Sequence, residues 1–295
     1  MLGWVVLFSR QCVVTGVQVK VMSFNLRTSL ARDPCPSGCW EQRKWRVQQL
    51  LQRYSPDLIG TQEGAPDQIQ FLQSNVGYAS VGECAGPCES NERNAIFYRA
   101  DRWQVIEQGT FALSDTPDLI PSNTWSLQYL RAAVWARFQA SSAPSKTVCM
   151  LNTHYDVSHG QEKSSLLVAD RLAQYCQRSD MVVMTGDLNT QPFTPAVKYL
   201  LGEMPLENRN SPFPLYETLT AAGAGSPTWV GSFSTATTDT KFDYIFARND
   251  SSTCITNASV ILDTFDGFTC SDHAVVQAEL CLGQGCERDH RCYHR

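Results

Sequence analysis

The 295-residue chain lacks the features that define several broad classes of protein. It contains no internal repeat, no low-complexity block and no long charge run, which excludes solenoids and charged tails. No apolar stretch is long enough to span a bilayer. Positive charge is also scarce: the formal net charge is -5 and the pI is about 5.6. The chain is therefore not held on nucleic acid by bulk electrostatics, although an enzyme that handles phosphates through a metal ion remains compatible.

Cysteine, in contrast, is abundant, with 12 residues. Cys35, Cys39, Cys84 and Cys88 lie in Gly/Pro-rich loop sequence, and the sequence does not give their connectivity. This number and placement favour a disulfide-bearing, secreted protein over the cytoplasmic alternative. Cys149 and Cys176 lie in apolar periodic segments and are interpreted as free core thiols.

The C-terminal residues 283–295 form a Cys-rich tail. The competing interpretation of this tail is a zinc site, because four ligand-type residues lie close together: Cys286, His290, Cys292 and His294. Their spacing matches no structural zinc pattern. Disulfide bonding is therefore the preferred interpretation.

Residues 1–16 are a candidate signal peptide, and residues 17–282 are predicted to form one catalytic domain. Gly3 to Phe8 is apolar but short, and Val14-Thr15-Gly16 offers a cleavage site with small residues. Cleavage there would remove Cys12 and leave an odd number of cysteines. Glycosylation sequons begin at Asn249 and Asn257, and they matter only in an exported chain.

Apolar periodicity predicts a mixture of strands and helices without strict βαβ alternation. Strands are expected at 17–26, 58–60, 95–98, 103–113, 132–138, 147–151, 181–184, 241–247 and 274–280. Helices are expected at 40–54, from Pro66 onward, at 162–177 and at 195–201, and the segment 202–240 is expected to be mostly loop. This mixture favours one α/β domain of α+β type, with two packed mixed sheets and helices outside.

The stretch from Met181 to Asn189 is the most informative part of the chain. Its four apolar residues predict a buried strand, which runs through Gly186 into Asp187 and Asn189. Positions two apart on a strand face the same side, so a carboxylate and a carboxamide leave the strand end together. Such a pair can orient a water molecule or bind a phosphate oxygen, although an Asp/Asn turn is the simpler explanation of this stretch alone.

Other apolar strands carry comparable residues at or near their ends. The whole set comprises Asn25, Glu63, His154, Asp187, Asn189, Asp243, Asp272 and His273. Each residue alone is typical of a cap or a turn, but so many similar placements are hard to attribute to chance. Glu63 and Asp272 are hard oxygen ligands suited to Mg²⁺, with Mn²⁺ or Ca²⁺ as alternatives. His273 can act as a base or an acid, and Asp243 can fix its tautomer.

In sequence order these motifs resemble those of the endonuclease/exonuclease/phosphatase superfamily. The matching pieces are Phe24-Asn25-Leu26-Arg27, Gln62-Glu63, Asn152-Thr153-His154, Gly186-Asp187-Leu188-Asn189, Asp243-Tyr244-Ile245 and Ser271-Asp272-His273. The resemblance runs from about Val19 to Leu280. It implies a four-layer α/β sandwich, with two packed mixed sheets flanked by helices and the site at one edge of the sheets.

The resemblance also implies roles for the residues on the metal side of the site. Asn25 and Glu63 would hold this side, with Glu63 as the direct ligand. Asp272 would supply a second carboxylate or orient a neighbour.

The remaining roles concern the substrate and the attacking water. The resemblance implies that His154 contacts the scissile phosphate, and that Asp187, held by Asn189, orients or deprotonates the water. Asp243 would orient His273. Arg131 is a candidate for binding a phosphate oxygen, and a salt-bridged strand arginine is the alternative.

The function expected from the complete set is metal-dependent hydrolysis of phosphate esters by in-line attack of an activated water on phosphorus. The substrate class stays open between nucleic acid, phospholipids, sugar phosphates and small metabolites. The alternative is a catalytically silent protein that keeps the fold and binds a phosphate ligand. No obligate protein partner is evident from the sequence.

Overall fold

The computed structural model describes residues 16–236, 238–250 and 253–282. Twelve strands occur in these ranges: β1 Val17–Asn25, β2 Leu58–Gly64, β3 Ala79–Val81, β4 Arg93–Tyr98, β5 Trp103–Ala112, β6 Ala132–Ala140, β7 Ala143–His154, β8 Met181–Asp187, β9 Leu215–Glu217, β10 Asp243–Arg248, β11 Thr253–Ile261 and β12 Val275–Leu282. The α-helices are α1 Trp40–Tyr54, α2 Pro66–Phe71, α3 Gln161–Tyr175, α4 Pro195–Leu200 and α5 Thr218–Ala221. None of these helices is long and apolar enough to cross a membrane.

The strands form two six-stranded sheets, each with parallel and antiparallel neighbours. The first has the order β11-β12-β1-β2-β4-β3 and the second the order β5-β6-β7-β8-β10-β9. Apolar side chains from both sheets, such as Val21, Ile96, Val134 and Val183, meet in one buried cluster. The two sheets therefore pack face to face.

Helices cover the outer face of each sheet. Val47 and Leu51 of α1 pack with Ile59 on the first sheet. Leu172 of α3 packs with Val182 on the second. The apolar stripe of each helix has nowhere else to be buried, which gives the order helix, sheet, sheet, helix. The predicted four-layer sandwich is confirmed.

A polar bridge joins the two sheets close to the strand ends that carry the candidate residues. Gln62 Nε2 donates to Asn152 Oδ1 at 2.7 Å, and Thr185 Oγ1 donates to the same oxygen at 3.0 Å. Gly60 is required here because an added Cβ would lie 2.0 Å from Thr185 Oγ1. These buried bonds fix the relative position of the sheets, since buried polar groups need partners.

The edges of the sheets differ from the sequence-based expectation. Strands β3, β9 and β11 and helix α5 were not expected, and β9 and α5 lie inside the segment predicted to be mostly loop. Strand β11 carries the exposed residues Thr256 and Asn257, and its register shifts between Ile255 and Asn257. Edge strands with polar residues and a bulge lack the alternation that identifies a strand in sequence.

The structure contains disulfides at Cys35–Cys39, Cys84–Cys88 and Cys149–Cys176. The first two confirm the prediction for the loop cysteines. The prediction of free thiols at Cys149 and Cys176 is wrong. Cys149 lies on β7 and Cys176 immediately follows α3, which folds back over β7 and brings the two Cα atoms to 5.6 Å.

The candidate signal peptide, up to residue 15, and the Cys-rich tail with the alternative zinc ligands lie outside the described residues. The division into these segments and the catalytic domain therefore stays a prediction.

Candidate active site

Strand register brings three of the candidate residues into one row across the second sheet. β7 and β8 are parallel and pair His154 with Asp187. β8 and β10 are antiparallel and pair Asp187 with Asp243. Directly paired residues have side chains on the same face, so the imidazole and the two carboxylates are neighbours at this edge.

The first sheet brings Asn25 and Glu63 to the same edge. Asn25 Nδ2 lies 3.0 Å from Glu63 Oε1 and 2.9 Å from Asp187 Oδ2. Its Oδ1 accepts a hydrogen bond from the backbone N–H of Arg27 at 2.9 Å. The amide of Asn25 therefore ties a carboxylate of one sheet to a carboxylate of the other.

Asp243 and His273 form a buried acid–imidazole pair. His273 Nδ1 lies 2.9 Å from Asp243 Oδ2 and 3.7 Å from Asp187 Oδ2. Burial opposes the charged imidazole, but the carboxylates of Asp243 and Asp187 dominate and raise the pKa of His273 to about 10. The two carboxylates therefore favour the charged form of the imidazole.

His154 is held from both ring nitrogens. Nδ1 lies 3.0 Å from Glu92 Oε2, and Nε2 lies 3.0 Å from the Asn189 side-chain nitrogen and 3.5 Å from Asp187 Oδ2. Burial and the Arg131 guanidinium oppose the charge, yet the carboxylates of Glu92 and Asp187 raise the pKa of His154.

Arg131 is buried and forms an ion pair with Glu92. It is therefore a salt-bridged arginine, as the alternative interpretation of this residue expected. One guanidinium nitrogen also lies 2.8 Å from His154 Nδ1. Arg131 lines the same cavity as the histidine. Sequence reasoning missed Glu92, which precedes β4 in a polar loop and follows no strand that would have marked it.

Asn189 holds Asp187 through its backbone. Its N–H donates to Asp187 Oδ1 at 2.9 Å, while its side-chain nitrogen donates to the carbonyl oxygen of Tyr155 at 3.0 Å. The side chain thus fixes the loop and His154, and the main chain fixes the carboxylate.

Three residues around the site have a backbone conformation that is rare outside glycine. The φ angles are 51° at Arg27, 60° at Glu63 and 46° at Asn189. Glu63 also lies where the register of β2 against β4 shifts, between Thr61 and Gly64. Bulges and left-handed residues re-aim side chains and concentrate at functional sites, and here they direct Glu63 and Asn189 into the site.

The site opens into a cavity of about 650 Å³. Six of the candidate residues line it, together with Arg131: Glu63, His154, Asp187, Asn189, Asp272 and His273. Asn25 and Asp243 do not line it and are fully buried, so they support their neighbours from behind. His273 is 7% exposed and Asp187 is 1% exposed, so both lie at the bottom of the cavity.

The donor set fits a hard divalent cation. Glu63 and Asp272 both line the cavity, and burial together with the Glu63 carboxylate raises the pKa of Asp272 despite the nearby charges of His273 and Arg27. Arg27 lies 3.6 Å from Asp272, but its guanidinium is already bonded to both oxygens of Asp33. Carboxylates that repel one another beside a cavity are suited to sharing a cation.

A second group of potential ligands is formed by Asp187, Asp243 and His273, whose ligand atoms lie within 4.8 Å of one another. Two of these residues are bonded to each other through His273 Nδ1 and Asp243 Oδ2. This group therefore fits an acid–histidine network better than a cage for Mg²⁺, which prefers oxygen ligands.

A sandwich of two mixed sheets that gathers carboxylates, amides and two histidines at one edge defines the class of divalent-metal-dependent phosphoesterases. The comparison with known sequences identifies the family. The chain belongs to the Endonuclease/Exonuclease/phosphatase family, whose sequence profile matches residues 22–273. The resemblance stated from the sequence motifs is confirmed.

Curated relatives and solved structures agree with this assignment. Nocturnin of Drosophila melanogaster is 26% identical over 222 residues, which cover 66% of this chain and 32% of that protein. Human Nocturnin is 22% identical over 244 residues, covering 74% of this chain and 53% of that protein. The chain therefore spans about a third to a half of the length of these relatives.

Among solved structures, an endonuclease/exonuclease/phosphatase family protein from Bacteroides thetaiotaomicron superimposes with a TM-score of 0.78. It is 25% identical, and the match covers 91% of this chain and 99% of that one. A mannosyl-6-phosphatase from the same organism has a TM-score of 0.76 and 26% identity, covering 89% of this chain and 99% of that one.

Proposed function

We propose that this protein hydrolyses phosphate esters with Mg²⁺ as cofactor, and that Asp187 activates the attacking water. The observation that carries the proposal is the environment of this carboxylate. Asp187 accepts hydrogen bonds from Asn25 and the Asn189 backbone, lies near two histidines and still lines the cavity. A carboxylate fixed at a cavity wall can orient a water molecule and take its proton.

The reaction is in-line attack of that water on phosphorus. The water oxygen forms the new bond to phosphorus, its proton passes to Asp187, and the ester oxygen leaves and takes up a proton from solvent. His273, which Asp243 keeps charged, binds a phosphoryl oxygen and stabilises the negative charge of the transition state. His154 and Arg131, both held by Glu92, bind the phosphate from another side of the cavity.

Glu63 would be the direct ligand of the cation and Asp272 the second carboxylate, and Asn25 fixes Glu63 by a hydrogen bond. A divalent cation bound there would neutralise negative charge that develops on the phosphoryl oxygens. Mg²⁺ suits this donor set because it prefers carboxylate oxygens and keeps several waters.

Export of the protein is part of this proposal. The two disulfides in loops and the exposed sequon residues Asn249 and Asn257 support an extracellular, glycosylated form. The reducing cytosol would not maintain such bonds.

The test is hydrolysis of a generic phosphomonoester and a generic phosphodiester with Mg²⁺ and with EDTA. Hydrolysis should require the cation and fall by at least about a hundredfold in Asp187→Asn. Asp170→Asn, which changes an exposed aspartate paired with Arg209, is the matched control and should keep full activity. A folded wild-type protein that hydrolyses neither ester with Mg²⁺ would support the alternative of a silent binding protein.

A further inference from the structure

Part of the cavity lining is apolar and solvent-exposed. Nine large apolar side chains are exposed among the described residues, and four of them line this cavity: Leu30, Tyr129, Val157 and Trp229. Isolated exposed apolar residues are ordinary, but a group of them around a concave site indicates contact with an apolar part of a ligand.

Trp229 is held directly beside the proposed catalytic histidine. Its backbone forms an antiparallel bridge with His273, and Val230 and Gly231 donate to the carbonyl oxygen of Asp272 at 3.0 Å. Residues opposed in an antiparallel bridge have side chains on the same face, with Cβ atoms about 5 Å apart. The indole therefore stands next to the imidazole at the bottom of the cavity.

The indole is also fixed in orientation while one side stays accessible. The Phe242 ring centroid lies 6.1 Å away, and the position of a Cβ on Gly231 would be 3.3 Å from the Trp229 ring. Gly231 has a φ of 70°, so glycine at this position both permits the turn and leaves room for the indole. Trp229 is nevertheless 36% exposed. A rigid aromatic face at a cavity wall is suited to stacking.

Several polar side chains that line the same cavity offer little to a sugar. Ser90 and Asn91 bond to the Pro87 carbonyl oxygen, and Thr28 accepts from the backbone of Leu30. The two cavity arginines are paired with acids. A ligand rich in hydroxyls would find few open partners here, whereas a flat ring would cover the exposed indole.

We propose that Trp229 is a specificity residue that stacks on an aromatic or heteroaromatic ring of the substrate, which is then a small phosphate ester of nucleotide size. The inference rests on the proposed function, because the phosphate must lie at Asp187 and His273. A long polynucleotide is disfavoured, since the net charge of the chain is -5.

The experiment compares two ligands that share a phosphate and a ribose and differ in the ring. Calorimetry with Mg²⁺ measures the dissociation constants of adenosine 5′-monophosphate and ribose 5-phosphate, in an Asp187→Asn background that prevents turnover. The nucleotide should bind about 5- to 100-fold more tightly, the range expected for one stacked base. Adding Trp229→Ala should remove this preference, while Trp229→Phe should keep most of it.

Trp45→Ala is the matched control, because Trp45 is 48% exposed on α1 and does not line the cavity. It should leave the preference unchanged. Equal affinity for the two ligands, no binding of either, or a preference that survives Trp229→Ala would overturn the inference. Hydrolysis of the generic esters in the preceding test does not depend on stacking. Failure of stacking and failure of the proposed function are therefore distinguishable.

Discussion

At the scale of single residues, Asp187 links the two halves of the site. Asn25 reaches it from the first sheet, while His154 and Asp243 are its neighbours in the second. Each side chain is ordinary by itself. Their chemistry comes from their proximity, because they lie close together in a buried site. Electrostatic interactions there are stronger than in water.

Loss of His273 or Asp187 should affect catalysis more than folding. We expect His273→Ala and Asp187→Ala each to lower kcat by at least about a hundredfold, because acid–base help or charge stabilisation is lost. Because both residues are buried and hydrogen-bonded, their loss can also affect stability. The melting temperature is therefore measured on the same preparations as kcat. A folded His273→Ala enzyme with full activity would rule out the mechanism.

Glu63→Gln should weaken cation binding while the fold survives. Adding Mg²⁺ should raise the melting temperature of the wild type and raise that of the variant less, because a ligand that binds only the folded state stabilises it. Activity at limiting Mg²⁺ should fall at least about tenfold. Glu41→Gln, an exposed glutamate on α1, is the control, and full activity of Glu63→Gln at limiting Mg²⁺ would contradict the ligand assignment.

Glu92 should make stability depend on pH in acid. Burial opposes its charge, but Arg131 and His154 lower the pKa of Glu92 from 4.5 to about 2. A lowered carboxylate pKa stabilises the fold above pH 4.5, and this stabilisation is lost as the pH falls toward 2. Urea unfolding of the wild type and of Glu92→Gln should therefore give a difference in unfolding free energy that shrinks as the pH falls from 4.5 toward 2. A difference that stays constant over this pH range would refute the ion-pair role.

At the scale of elements, the strand ends position the site and the connections between elements stabilise it. The helix over Trp40–Tyr54 also contributes: Arg43 donates to the carbonyl oxygens of Leu26, Arg27, Gly38 and Cys270. It thus ties the segment that follows β1 to the segment that precedes β12. Both segments carry cavity residues, Arg27 and Asp272.

The disulfide Cys149–Cys176 ties β7 to the end of α3. It spans 27 positions in sequence, so it restricts the unfolded chain considerably. Replacing both cysteines with alanine should lower the unfolding free energy by about 2–4 kcal/mol, measured by denaturant titration. The Cys84–Cys88 disulfide closes a loop of sequence separation 4, so the Cys84→Ala/Cys88→Ala variant should lose less unfolding free energy. An equal loss in both variants would speak against loop closure as the cause.

At the scale of the whole molecule, the sandwich has two faces that helices bury and one edge where a cavity forms. The net charge of the chain is -5, and the disulfides Cys35–Cys39 and Cys84–Cys88 lie in loops around the packed sheets. These properties support the proposals of a small phosphate-ester substrate and of export to an oxidising compartment.

The oxidation state tests the compartment directly. Mass spectrometry of the unreduced, secreted protein should find Cys35–Cys39, Cys84–Cys88 and Cys149–Cys176 bonded, because these pairs lie within bonding distance in the fold. If most cysteines react with an alkylating agent without prior reduction, the protein is instead placed in the cytosol. The zinc interpretation of the tail would then be restored.

The sequence alone determined the strands that form the centre of both sheets and the chemistry of their ends. Apolar periodicity marks a buried strand, and a polar residue at its end, such as Asp187 or Asp243, stands out because the pattern around it is regular. This was sufficient to predict the sandwich and to name the residues that meet at one edge.

Only the tertiary structure decided which distant residues touch. Glu92 and Trp229 lie in segments without strong periodicity, and their contacts follow from sheet order. Cys149 and Cys176 lie in periodic segments, but their pairing follows only from the path of α3 over β7. The left-handed backbone at Glu63 is likewise imposed by its surroundings, since the intrinsic preference of a glutamate disfavours it. Local pattern tells which face and which end of a strand a residue occupies, whereas packing determines what it meets there.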